Sequence, residues 1–212
     1  MNFKNNLIIQ PPLAMKQALE GVLEIQVMNQ AMGGAMVVGE DVAAVVAETE
    51  IPQRLTLQWH ITERCNLRCQ HCYQDNYQRA NELKPSQWSM VIQQYVELLN
   101  TLSKQAKRPV KGHINLTGGE PFAHPQCLSL LEQFTQFREK FSFAILCNGS
   151  FIDTAMAERL KVLAPSFVQI SLDGTEAIHD SVRGKQQFMQ ASHALKLLVH
   201  VGVRSMIAFT AQ

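Results

Sequence analysis

Cys65, Cys69 and Cys72 fall within eight residues, in the run Thr62-Glu63-Arg64-Cys65-Asn66-Leu67-Arg68-Cys69-Gln70-His71-Cys72-Tyr73. Thiolates with this spacing can curl round one inorganic centre. On a four-iron cube, three protein thiolates leave one iron open to an exchangeable ligand. Two other centres compete. Ferredoxin-type clusters take four cysteines, with a Cys-x2-Cys-x2-Cys run that this spacing does not match. Zinc would take the three cysteines and His71, although neighbouring side chains such as His71 and Cys72 diverge from a single tetrahedral ion. The chain has five cysteines, an odd number with three clustered, which argues for metal binding over a disulfide framework.

Four further groups could do chemistry. Gly118-Gly119-Glu120-Pro121 combines a tight turn, close backbone approach to a ligand and a carboxylate that can accept from an ammonium group. Cys147-Asn148-Gly149 offers Asn148 as a ligand contact or a loop cap. Ser171-Leu172-Asp173-Gly174 offers a hydroxyl and a turn, and His179-Asp180 with Arg183-Gly184 supplies a guanidinium suited to a carboxylate. Cys127 and Cys147 read as small buried hydrophobes. His60, His113, His124, His179, His193 and His200 show no ligand-like pairing.

The elements that must carry these groups alternate. Leu55, Leu57, Trp59 and Ile61 recur at period two, a strand that ends just before the cysteines. Pro85 starts a helix to about Ser103, with Val91, Ile92, Tyr95, Leu98, Leu99 and Leu102 on one face. A strand at His113–Thr117, a helix from Pro125 to about Lys140 and a strand at Phe141–Cys147 follow. Asp153 is the expected N-cap of a helix to Leu163. Then come a strand at Phe167–Leu172, a helix from Phe188 to His200 and a strand at Val203–Phe209. Such alternation implies parallel strands joined by crossovers, an α/β sheet or barrel whose active-site loops lie at the strands' C-terminal ends. The last strand has no helix after it to cover it, so the expectation is a partial barrel, incomplete at its C-terminus.

The chain divides at about residue 52. Residues 1–52 form an extension with Lys4 and Lys16 against Glu20, Glu24, Glu40, Asp41, Glu48 and Glu50. Ala18, Leu19, Val22, Leu23 and Val27 suggest an amphipathic helix there, broken at Gly33-Gly34, and Ala35–Val46 is a second helical or strand-like segment. Residues 53–212 are the core domain. Of the 212 residues, 46% are apolar and 17% charged, a globular composition. A net charge of +1 gives no electrostatic case for a nucleic-acid partner. No apolar run approaches the ~20 residues of a membrane span. Pro11 and Pro12 cut short any signal-peptide core after Leu7–Ile9. The expected compartment is the cytoplasm, where thiols stay reduced.

Cys-x3-Cys-x2-Cys after the first strand of a βα repeat is the signature of the radical S-adenosylmethionine (SAM) superfamily, and this chain resembles that family. Gly118-Gly119-Glu120-Pro121 resembles its GGEP motif. Cys147-Asn148-Gly149 is similar to its T-N-G, with Cys147 in place of threonine. The resemblance covers about residues 54–212. It implies a [4Fe–4S] cluster on Cys65, Cys69 and Cys72. It implies SAM contacts from Gly118, Gly119, Glu120, Ser171 and Arg183, with His71 and Tyr73 beside the adenine and Asn148 nearby. The implied reaction is reductive cleavage of SAM to a 5′-deoxyadenosyl radical, which takes hydrogen from a substrate; the substrate-side acid or base is not identifiable. The motif set is closest to the SPASM/twitch branch of peptide and sulfatase maturases, which implies a peptide or protein substrate and an electron donor such as a flavodoxin or ferredoxin. A small metabolite in cofactor biosynthesis is the alternative substrate. A non-catalytic zinc module and an inactive remnant that binds cluster and SAM are the alternative roles.

Overall fold

A computed structural model describes residues 51–75, 77 and 82–210, with the backbone of two short strands near the N-terminus. Those strands, β1 (Leu7–Ile8) and β2 (Gln26–Val27), pair antiparallel with Leu7 opposite Val27. Val27, placed by the sequence at the end of a helix, is therefore in a strand. The rest of that expected helix and the segment Ala35–Val46 lie outside the described residues.

The core is one five-stranded sheet: β3 (Arg54–His60), β4 (Lys111–Thr117), β5 (Phe141–Cys147), β6 (Val168–Ser171) and β7 (Ser205–Ala208). The strands lie in chain order and every neighbouring pair is parallel. This is an α/β architecture, a partial barrel. Helices cross over between strands: α1 (Pro85–Ala106), α2 (Cys127–Thr135), α3 (Thr154–Leu163), α4 (Glu176–Arg183) and α5 (Gln187–Val201).

Period-two patterning sends Leu55, Leu57 and Trp59 of β3 and Ile114 and Leu116 of β4 to one face, where they join a single core with the helices. Phe134 of α2 is the aromatic hub, with ring centroids 5.9 Å from Trp59, 5.6 Å from Phe141 and 5.5 Å from Phe143. The alternate positions are polar: Gln58 pairs in register with Asn115, and His60 with Thr117. That polar face leads to the strand ends where Thr117, Gln169 and Ser171 line a cavity.

Local chemistry sets the boundaries. Pro85 occupies the first turn of α1, where its missing N–H costs nothing. The Tyr95 hydroxyl donates to the Leu55 carbonyl at 2.7 Å and accepts from the His113 N–H at 3.0 Å, fixing α1 to β3 and β4. Asp153 caps α3 as expected, accepting from the Met156 N–H at 2.7 Å. The helix expected over Pro125–Lys140 is shorter. It stops at Thr135, and Phe137 and Lys140 take turn bonds to Phe134 and Phe137 instead. Helix α4 was not expected; its eight residues are too few and too polar for a clear periodic signal.

Candidate cluster and cofactor site

The cysteine loop leaves β3 and is pinned at once to the turn after β4. Gly119 N–H donates to the Thr62 carbonyl at 2.8 Å, and Glu120 N–H to the Arg64 carbonyl at 2.7 Å. A Cβ on Gly118 would lie 2.5 Å from the Thr62 carbonyl oxygen, and one on Gly119 would collide with the Arg64 carbonyl. The close approach these glycines permit is to the cysteine loop's own backbone, although both also line the cavity. From the outer side, Glu82 accepts from Arg64 Nε at 2.7 Å, Arg64 Nη2 at 2.8 Å and the Thr62 hydroxyl at 2.5 Å. Further on, Gln70 N–H donates to the Val182 carbonyl at 2.9 Å, which ties the loop to α4.

Cys65, Cys69 and Cys72 are free, half-buried, and line one cavity of about 230 Å³. Burial pushes the Cys65 thiol up, opposed by the Leu67 N–H that donates to its sulfur at 3.4 Å. Burial likewise raises Cys69, opposed by the Arg183 guanidinium, whose Nη1 is 3.9 Å from the sulfur. A cationic cluster would reverse this balance, since a coordinating thiol is deprotonated outright. Three soft sulfur donors facing one cavity fit a four-iron cube that takes each thiolate at a different corner. Among the described residues no His, Cys, Asp or Glu trio is close enough to hold a single metal ion. His71 Nε2 lies 3.4 Å from Arg183 Nη2.

Of the other expected residues, Gly118, Gly119, Asn148, Ser171, Arg183, His71 and Tyr73 all line the same cavity. Glu120 does not. It is 0% exposed, and its carboxylate accepts from the Phe122 N–H at 3.1 Å and the Asn148 N–H at 2.7 Å. Burial pushes it up to about 7 against the pull of those two amides. Through these two bonds its side chain joins the ends of β4 and β5. Asn148 acts as a loop clamp: its Nδ2 donates to Asn66 Oδ1 at 3.0 Å, and its Oδ1 accepts from Ser150 N–H at 2.9 Å. Tyr73 is 73% exposed, with its hydroxyl 3.3 Å from His60 Nδ1. Cys127 and Cys147 are buried outside the triad, as expected, although Cys147 touches the cavity.

Sequence reading missed two carboxylates. Asp173, read as part of a turn, is 4% exposed and accepts from Arg183 Nε at 2.5 Å and from the Thr210 N–H at 3.1 Å. Burial works against its charge, but Arg183 and Thr210 hold it below the ordinary carboxylate range. Its only signal in the sequence was an acid ten residues before an arginine. Glu82 had no signal, because it meets Arg64 only through folding.

Residues 59–211 match the radical SAM superfamily as a family. This chain belongs to the radical SAM superfamily. That family is one of enzymes, and its two cofactors are the [4Fe–4S] cluster and SAM. The chain is 30% identical over 164 residues to the antilisterial bacteriocin subtilosin biosynthesis protein AlbA of Bacillus subtilis, covering 76% of this chain and 34% of the relative. It is 33% identical over 156 residues to the Fe-coproporphyrin III synthase of Methanosarcina barkeri, covering 72% and 36%. The chain thus spans about a third of the length of these relatives. Its fold superposes on that of anSMEcpe, solved with bound AdoMet and a Cp18Cys peptide, with a TM-score of 0.56 at 21% identity over 73% of this chain and 42% of the other. Among the described residues no helix is long and apolar enough to cross a membrane.

Proposed function

We propose that residues 53–212 are the SAM-cleaving core of an enzyme that modifies a peptide or protein, with residues 1–52 as a separate extension. The observation that carries the reading is convergence. Residues from the ends of β3, β4, β5 and β6, and from α4, meet round three free cysteines in one cavity. Cys65, Cys69 and Cys72 would hold the cluster through three irons. Arg183 offers a guanidinium to the cofactor's carboxylate, and Ser171 a hydroxyl to its ribose. The bound cluster and SAM supply the 5′-deoxyadenosyl radical that abstracts hydrogen. The protein's part is to orient the cofactor and exclude side reactions.

The peptide reading is supported by the motif set and by the bacteriocin-biosynthesis relative. The Fe-coproporphyrin III synthase relative favours a second reading, a metabolite in cofactor biosynthesis. Five free thiols suit a reducing compartment, the cytoplasm, where a flavodoxin or ferredoxin would supply the electron.

The test is anaerobic reconstitution with iron and sulfide, then dithionite, SAM and a deuterated substrate. Deuterium appearing in 5′-deoxyadenosine from a peptide encoded by a neighbouring gene supports the first reading. Transfer from a deuterated tetrapyrrole instead supports the second. A colourless, zinc-loaded protein that makes no 5′-deoxyadenosine sinks both.

A further inference from the structure

Glu82 stands outside the cavity, yet its carboxylate is committed to the first residues of the cysteine loop. Its Oε1 accepts from the Thr62 hydroxyl at 2.5 Å and from Arg64 Nε at 2.7 Å, and its Oε2 from Arg64 Nη2 at 2.8 Å. Two parallel bonds between a carboxylate and a guanidinium fix direction as well as distance. The side chains of Arg64 and Glu82 are only 22% and 12% exposed, so water screens the pair in part.

Thr62 and Arg64 are also held from the opposite side. Their carbonyls take the Gly119 and Glu120 N–H groups, and the Thr62 hydroxyl accepts from the Arg64 N–H at 3.0 Å. With residues 62 and 64 gripped on both sides, Cys65 has little beyond its own side-chain torsion to place its sulfur. The later part of the loop has other anchors. Gln70 N–H donates to the Val182 carbonyl, and Cys72 N–H to the Cys69 carbonyl at 3.1 Å.

Glu82 can serve as an anchor because its own place is fixed. It comes just before α1, where Leu83 and Trp88 are buried and the Lys84 N–H donates to Gln87 Oε1 at 2.8 Å. The Trp88 ring lies 5.3 Å from that of His124, whose Nε2 is 3.7 Å from Glu82 Oε2. His124 follows the Gly118–Pro121 turn, so one carboxylate meets the segment entering Cys65 and the segment leaving that turn. An acid whose role was to start α1 would cap its first amides; this one bonds to Thr62 and Arg64.

We infer that Glu82 is a positioning residue for the cluster: through Arg64 and Thr62 it fixes the backbone from which Cys65 holds its iron. The inference rests on the reading that Cys65, Cys69 and Cys72 carry a four-iron cluster. Partners that orient metal ligands from outside typically change metal affinity by about 10–100-fold.

The experiment reconstitutes the whole chain anaerobically and measures how fast a chelator strips the cluster. Iron and sulfide per chain, the electron paramagnetic resonance spectrum of the reduced cluster and the urea midpoint of cluster-free protein are read beside it. Glu82→Gln places an amide NH2 against a guanidinium that can only donate. Arg64→Lys keeps the charge and loses the fork. Each speeds cluster loss on the order of tenfold and makes the spectrum heterogeneous. The double variant loses its cluster no faster than the faster single, because both changes break one link. Phe134→Ala is the control: its urea midpoint falls furthest, yet its cluster leaves at the wild-type rate. Should Glu82→Gln not fold, the milder Arg64→Lys carries the same test. Wild-type loss rates with an unchanged spectrum overturn the positioning role. So do effects that multiply in the double variant, or loss rates that simply follow the urea midpoint through Phe134→Ala. Wild-type protein that takes up no iron and sulfide overturns the cluster reading itself, a result distinct from the others.

Discussion

Asn148 N–H donates to Glu120 Oε2 at 2.7 Å, so the loop after β5 hangs on a carboxylate delivered from the end of β4. Glu120 also takes the Phe122 N–H and is fully buried. The acid most visible in the sequence therefore supports the site's floor, and its removal should be read first in stability.

Glu120 gives stability a pH dependence of definite sign. Burial raises its folded pKa from an ordinary 4.5 to about 7. Below pH 4.5 both folded and unfolded forms hold the proton, and the group brings no penalty. Between 4.5 and about 7 the unfolded chain releases a proton that the folded one retains, so stability falls as pH rises. The expected fall is on the order of 3 kcal/mol. Urea unfolding of cluster-free protein across this range measures it. Glu120→Gln should flatten the profile and, because a glutamine NH2 can only donate and would face a backbone N–H where the acid's second oxygen accepts, lower stability at acidic pH by about 1–3 kcal/mol. A variant profile parallel to wild type would count against the assignment.

Replacing any one of Cys65, Cys69 and Cys72 with alanine should abolish loading of the four-iron cluster. Cys127→Ala should leave it intact, because that thiol is buried in the core, away from the cavity. Iron and sulfide per chain, with the visible absorption of reconstituted protein, decide between them. Normal content in any of the first three variants would remove that residue from the ligand set.

A methyl group at position 119 is expected to displace the cysteine loop. The added Cβ of Gly119→Ala meets the Arg64 carbonyl, and backbone cannot swing away as a flexible side chain can. Overpacking of this kind costs about 1–3 kcal/mol. The variant should fold, with a lowered midpoint, yet incorporate less iron than wild type under identical reconstitution. Full incorporation would mean that the loop tolerates the shift.

Phe134→Ala should be the costlier change to the fold and the milder one to the site. Phe134 is fully buried against Trp59, Phe141 and Phe143 on the helix-covered face. Losing its ring should cost about 3–5 kcal/mol in denaturant unfolding. The fraction that remains folded should still bind cluster, since no atom of Phe134 lines the cavity. Selective loss of cluster without loss of stability would contradict this placement.

The fold was largely legible because period-two strands and a helix face such as Val91, Ile92, Tyr95 and Leu99 are local patterns, and each survived into the structure. Asp153 was legible as a cap for the same reason: its partner, Met156, is three residues away. The α2 end was misplaced because Phe137 still packs against the core beyond the helix, so apolar spacing continued where helical bonding had stopped. Helix α4 escaped because eight residues scarcely complete two turns.

The amino-acid sequence alone determined the cysteine triad, the strand-end motifs and the family they signify, since these depend on residue type and short spacing. Tertiary structure decided which of those residues face the cavity. It buried Glu120 under two backbone amides, turned Asn148 into a clamp on Asn66, and brought Asp173 onto Arg183 and Glu82 onto Arg64. The reason is physical. A carboxylate's role depends on what surrounds it once water is excluded, and those surroundings come from strands and loops far apart in the chain.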